Sequence, residues 1–110
     1  MAKAPNTRKW SAVELSDPTG RTAEITVGGE VEVTATNYVP KLSLHKPQGI
    51  NPRVLMLDLT IENDRGFGGQ VMMYKPVVNT QPTGGRDYDE VSILFDGAII
   101  ERIKVDHPMS

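Results

Sequence analysis

Apolar and polar residues alternate along this chain in short runs. No window of a dozen residues holds helical spacing without meeting a glycine, a proline or a period of two. The pattern therefore predicts strands joined by turns. Trp10 to Ser16 is the first expected strand, with Val13 and Leu15 on one face. Asp17-Pro18-Thr19-Gly20 follows with type I turn chemistry: Asp first, Pro second, Gly fourth. Arg21 to Val27 and Glu30 to Tyr38 read as two strands split by Gly28-Gly29.

Register decides the form of that hairpin. A two-residue Gly-Gly loop pairs Val27 with Glu30 and mixes apolar and charged side chains on each face. A three-residue loop pairs Val27 with Val31, Ile25 with Val33 and Ala23 with Ala35. It leaves Thr22, Glu24, Thr26, Glu32, Thr34 and Thr36 on the opposite face. A one-residue slip turns every side chain over, so the odd loop or a glycine bulge is expected.

Arg53 to Glu62 is the most regular strand, with Leu55, Leu57, Leu59 and Ile61 on one face. Val54 and Met56 make its start apolar on both faces, which predicts an interior position in the sheet. Gln70 to Tyr74 is a shorter strand closed by Pro76. Tyr88 to Phe95 and Ala98 to Val105 flank Asp96-Gly97, a strong hairpin signal. A tight two-residue turn there sets Val91 opposite Arg102. A three-residue loop with Gly97 as a bulge pairs Ile93 with Ile99, sets Glu90 opposite Arg102 and separates the faces better.

These runs amount to about seven strands, and no segment supplies a crossover helix. The expected fold is all-β: a single-domain, largely antiparallel β-sandwich of Ig-like size, with a small β-barrel as the alternative. Residues 1–9 are expected to form a flexible N-terminal segment, 10–106 the domain and 107–110 a C-terminal tail. Composition agrees. Eleven Val, seven Ile and nine Thr outweigh six Ala, seven Leu and five Met.

Three stretches are longer than a usual hairpin loop. Asn37 to Pro52 holds Lys41, His45 and Lys46 and no acid. It reads as a basic docking loop for an anionic group, or as a crossover in which Leu42 and Leu44 form a short extra strand. Asn63 to Gly69 surrounds Phe67 with Gly66, Gly68 and Gly69, beside Arg65. It reads as a tip presenting Phe67 to a partner, or as a tight turn whose Phe folds back on the sheet edge. Pro76 to Arg86, with Asn79, Gln81 and Thr83, reads as an extended loop that enters a cleft or receives a partner strand, or as an ordinary connection.

Candidate chemistry is sparse. The 110 residues include no cysteine, which excludes disulfides, thiolate metal sites and a cysteine nucleophile. A net charge of −2 argues against a general nucleic-acid binder. No apolar run approaches the ~18 residues of a membrane span. The first ten residues lack a signal-peptide pattern, so a cytoplasmic protein is expected, with a secreted or periplasmic one whose leader was removed as the alternative. No serine stands in a nucleophile elbow. A hydrolase would have to use His45 with a carboxylate such as Asp58 or Asp64. Both His45 and His107 otherwise read as ordinary surface residues, His107 in a frayed end. Asp87, Asp89 and Glu90 form an acidic cluster, a weak calcium candidate or simply an acidic strand start. No cofactor is implied.

The expectation is thus a non-catalytic binding module. It would act through loops or a sheet edge on a protein partner, or on a second copy of itself. The alternative is a small-ligand or carbohydrate module with a groove near Trp10, the single tryptophan, or near the basic loop.

Overall fold

A computed structural model describes residues 4–16, 23–63, 69–84 and 86–107. Alternation becomes seven strands: β1 (Thr7–Ser16), β2 (Ala23–Val33), β3 (Tyr38–Leu44), β4 (Val54–Asn63), β5 (Met73–Pro82), β6 (Glu90–Phe95) and β7 (Ala98–Asp106). They form one mixed sheet in the order β3-β4-β6-β7-β1-β2-β5. β1 runs parallel to β7 and β4 parallel to β6, while the other pairs are antiparallel. The sheet curls until its end strands approach each other, and Asn79 Nδ2 of β5 donates to the Leu42 carbonyl of β3 at 3.3 Å. The result is all-β and nearly closed, barrel-like. Among the described residues no helix is long and apolar enough to cross a membrane.

One face of every strand supplies the core. Ile25, Val27 and Val31 of β2, Leu55, Leu57 and Leu59 of β4, and Val91 and Ile93 of β6 are at most 2% exposed. Ala12, Leu42, Val77, Ile103 and Val105 bring in the remaining strands, and all belong to one cluster. β4 lies between two neighbours, as its doubly apolar start requires. The opposite face of β2 carries Glu24, Thr26, Glu30 and Glu32, none of them buried.

The expected hairpin at Gly28-Gly29 is overturned. β2 runs straight through both glycines. Its odd positions 25, 27, 31 and 33 all face inward. An odd loop and an uninterrupted strand have the same parity, so face segregation could not tell them apart. Gly29 is small because Trp10 lies on it: a Cβ there would stand 2.6 Å from Trp10 Cδ2. The seventh strand comes instead from Tyr38–Leu44, the extra-strand reading of the basic stretch.

Other boundaries shift as well. β1 begins at Thr7 rather than Trp10, so residues 7–9 belong to the sheet and not to a free N-terminal segment. Its inward residues are Trp10, Ala12 and Glu14, whereas Leu15 is exposed. Pro76 does not end a strand but lies within β5, opposite Glu30. β5 has one neighbour, and an end strand is where a sheet tolerates the missing N–H of proline. The turn at Asp96-Gly97 has two residues, both at positive φ (53° and 82°), as a type I′ hairpin needs. Gly97 is therefore not a bulge. The extra residue is Ile100, because Leu94 pairs with Ile99 while Ile93 pairs with Glu101. The apolar pairing Val91 with Ile103 is recovered one step further on. The Asp17–Gly20 turn lies outside the described residues.

Candidate functional site

β1 and β7 are neighbours, yet they pair only at Ala12 with Val105 and Val13 with Asp106. Toward the start of each strand they part and leave a cleft of about 540 Å³. Lys9, Trp10 and Ser11 line one wall, and Arg102, Ile103 and Lys104 line the other.

Each of the two strands carries a bulge before the ladder pairs that join them. In β1, Arg8 pairs with Glu30 and Ser11 with Gly28, so Lys9 and Trp10 together oppose Gly29. Lys9 has φ 58°, a left-handed conformation costly for a side chain of its length. In β7 the added residue is Ile100. A bulge bends its strand and sharpens the twist, and each bulge lies in the ladder on the far side of its strand, β1 with β2 and β7 with β6. The facing edges are thus drawn apart while both strands stay anchored.

The walls are mixed in polarity. Trp10 is half-buried against the core, and its Nε1 is buried with no hydrogen-bond partner among the described residues. Arg8 also lines the cleft, but its guanidinium is engaged, pairing with Glu30 at 2.7 Å and lying 3.8 Å above the Tyr74 ring centre. That leaves Lys9, Arg102 and Lys104 as the other cations on the cleft, against Glu101 and Asp106. One Glu101 oxygen already accepts from the Arg102 backbone N–H at 3.2 Å.

The closed end is fixed by a residue expected to be frayed. His107 Nδ1 lies 2.9 Å from Glu14 Oε2, and its Nε2 lies 2.9 Å from the Tyr88 carbonyl oxygen. Beside it Asp89 receives a two-pronged hydrogen bond from Arg53, with Nη2 to Oδ1 at 3.1 Å and Nε to Oδ2 shorter still. That bond is the main reason the Asp89 carboxyl is held below its ordinary range; burial opposes it, and the charges of Arg53 and His107 reinforce it. The Arg53 guanidinium is raised by the same bond.

The residues singled out in the sequence do not converge on this cleft. Arg65, Gly66, Phe67 and Gly68 lie outside the described residues. Asn79 and Gln81 are half-buried on β5, Thr83 is buried and donates its N–H to the Ala23 carbonyl, and Arg86 is exposed beyond it. Most of the expected 76–86 loop is therefore strand. Lys41 pairs with Glu62 at 2.7 Å on the outside of β3 and β4, and Lys46 is exposed. Of the acidic cluster Asp87, Asp89 and Glu90, Asp89 is paired with Arg53, and no group of three metal-binding side chains is assembled among the described residues.

His45 does meet a carboxylate: its Nδ1 lies 2.9 Å from Asp58 Oδ1. The surrounding contacts give this pair a structural role. The His45 N–H donates to the Met56 carbonyl, and the Gln48 amide both donates to that carbonyl and accepts from the Met56 N–H, each at 2.9 Å. Gln48 thereby imitates a neighbouring strand, and His45 with Asp58 ties the same turn to β4.

Sequence reasoning placed a groove near Trp10 but missed Lys9, Arg102, Lys104 and the Glu14–His107 contact. The alternation of Arg102 and Lys104 on one face of a strand was the available signal for the basic wall. Comparison with protein-family models, curated proteins and solved structures finds no match to the chain.

Proposed function

We propose that this protein is a non-catalytic binding module that takes an extended, acidic peptide segment of a partner protein into the β1/β7 cleft. The observation that carries the reading is the parting of β1 and β7 ahead of their two ladder pairs, with a bulge in each strand. The parting leaves two strand edges unpaired within reach of each other, in a cavity of a size that ligands fill. Strand addition at such an edge draws affinity from main-chain hydrogen bonds and specificity from alternate side chains. Lys9, Arg102 and Lys104 select acidic residues by charge, and Trp10 supplies an apolar surface beside them.

The single tryptophan makes the test direct, since its emission reports on the cleft wall. Titration with a glutamate-rich peptide shifts the emission saturably, and a lysine-rich peptide of equal length does not. Reversing two wall charges, Lys9→Glu with Lys104→Glu, weakens binding at least about tenfold, and added salt weakens it in the parent. An equal response to both peptides overturns the reading. So does an equal response to a free dicarboxylate, which would mark a small-anion site instead.

A further inference from the structure

We infer that His107 is a proton-operated clasp that closes the lower end of the β1/β7 cleft, a regulation that rests on the cleft being the binding site. Both ring nitrogens face acceptors at 2.9 Å, Glu14 Oε2 on one side and the Tyr88 carbonyl on the other. A neutral imidazole has one N–H and one lone pair, so it can serve only one of them; the protonated ring donates to both. Glu14 makes the difference matter. Its side chain is 11% exposed, and its other oxygen, Oε1, is buried with no hydrogen-bond partner among the described residues. A carboxylate so placed depends on the donor that it has.

The position of the clasp gives it leverage. Ala12–Val105 and Val13–Asp106 are the two ladder pairs that join β1 to β7, and Glu14–His107 continues the same register by side chains. The groups facing His107 are Glu14 from β1 and, from the segment before β6, the Tyr88 carbonyl and Asp89, whose charge Arg53 balances; Asp106 precedes it on β7. Only the protonated ring can satisfy both the Glu14 oxygen and the Tyr88 carbonyl at once. Loss of the proton frees one contact, loosens the adjacent ladder pairs and lengthens the cleft toward Glu14. Histidine is the side chain whose charge ordinarily changes between about pH 5 and 8.

Amide hydrogen exchange on the peptide-free protein tests this. Protection of the Asp106 amide, corrected for the intrinsic pH dependence of exchange, should fall about tenfold between about pH 5.5 and pH 8, as expected for losing one charged hydrogen bond. His107→Gln, whose amide does not titrate, abolishes that pH dependence. Should that variant fail to fold, Glu14→Gln must flatten the profile too. A wild-type profile that is flat, or one unchanged in either folded variant, overturns the clasp. None of these readings uses peptide. A flat profile with intact peptide binding therefore removes the clasp alone, and a pH-dependent profile without peptide binding removes the binding reading alone.

Discussion

Between β3 and β5 the curled sheet stays open because the end strands do not pair; between β1 and β7 it opens although the strands are neighbours. The first opening is guarded. Pro40 lies on β3, Pro76 and Pro82 lie on β5, and Asn79 bridges to the Leu42 carbonyl. Prolines on end strands discourage a further strand from docking. The second opening has no proline on either wall, is lined by four cations of which Arg8 is engaged by Glu30, and lies between two strands that each carry a bulge. One gap is left over when the sheet nearly closes, and its edges are blunted. The other interrupts a pairing the topology would otherwise complete, and its edges are furnished for a visitor.

The sharpest way to break this contrast is to remove the reason for the β1 bulge. Gly29 accepts Trp10 because it has no Cβ, and its backbone needs no left-handed conformation. Gly29→Ala puts a methyl carbon into the indole, and overpacking of this kind costs about 1–3 kcal/mol. We expect that loss in urea unfolding, with a changed Trp10 emission because the cleft wall has moved. Gly28→Ala is the control. Its Cβ would lie 3.5 Å from the Val77 carbonyl oxygen, an ordinary contact, so stability should change by less than about 1 kcal/mol.

Those two glycines also show how far the sequence could be read. Period two identified the strands and their inward faces, because burial on one face of a sheet needs nothing but parity. Parity is blind to continuity. Val27 and Val31 face the same way whether Gly28-Gly29 turns or runs straight. The deciding fact was a contact with Trp10, a residue about twenty positions away. The Asp96-Gly97 hairpin shows the same limit. The even offset that separates apolar from polar faces was legible, but not that Ile100 rather than Gly97 would supply it. The candidate site was legible only in part. Trp10 drew notice, while Lys9 gained meaning from a backbone twist and His107 from long-range contacts with Glu14 and Tyr88.

The guarded seam offers smaller effects. Asn79→Ala removes the donor to Leu42 and, with it, an Oδ1 that is buried without a partner among the described residues. The two changes oppose each other, so a loss of no more than about 1 kcal/mol is expected in urea unfolding. Exchange should quicken at the β3 and β5 edges while peptide affinity at the cleft stays the same. A drop in peptide affinity would mean that the two openings are coupled. Pro76→Thr should leave stability nearly unchanged but restore an edge N–H, so light scattering at rising concentration should show more self-association than in the parent. Unchanged association would mean that the prolines are not what guards this edge.

The smallest effect belongs to Arg53 and Asp89, and its sign opposes that of the neighbouring histidine. Asp89 has its carboxyl lowered chiefly by the hydrogen bond from Arg53. Its contribution is therefore present above the ordinary carboxylate range and lost as pH falls through the lowered value. His107 works the other way: its double contact needs the proton and is lost as pH rises. Both hold the same segment, since the Asp89 N–H donates to the Arg53 carbonyl and the Val105 N–H to the Asp89 carbonyl, each at 2.8 Å. The anchor at the base of the cleft is thus firmest in the window where Asp89 is ionised and His107 protonated. Arg53→Ala should weaken protection of the Val105 amide at every pH above the ordinary carboxylate range, and the difference from the parent should vanish as pH falls through the lowered Asp89 value. Because both side chains are more than half exposed, the difference should shrink as salt approaches about 1 M. A difference that persists in acid, where Asp89 is protonated, would mean that Arg53 holds this segment by something other than the Asp89 carboxylate.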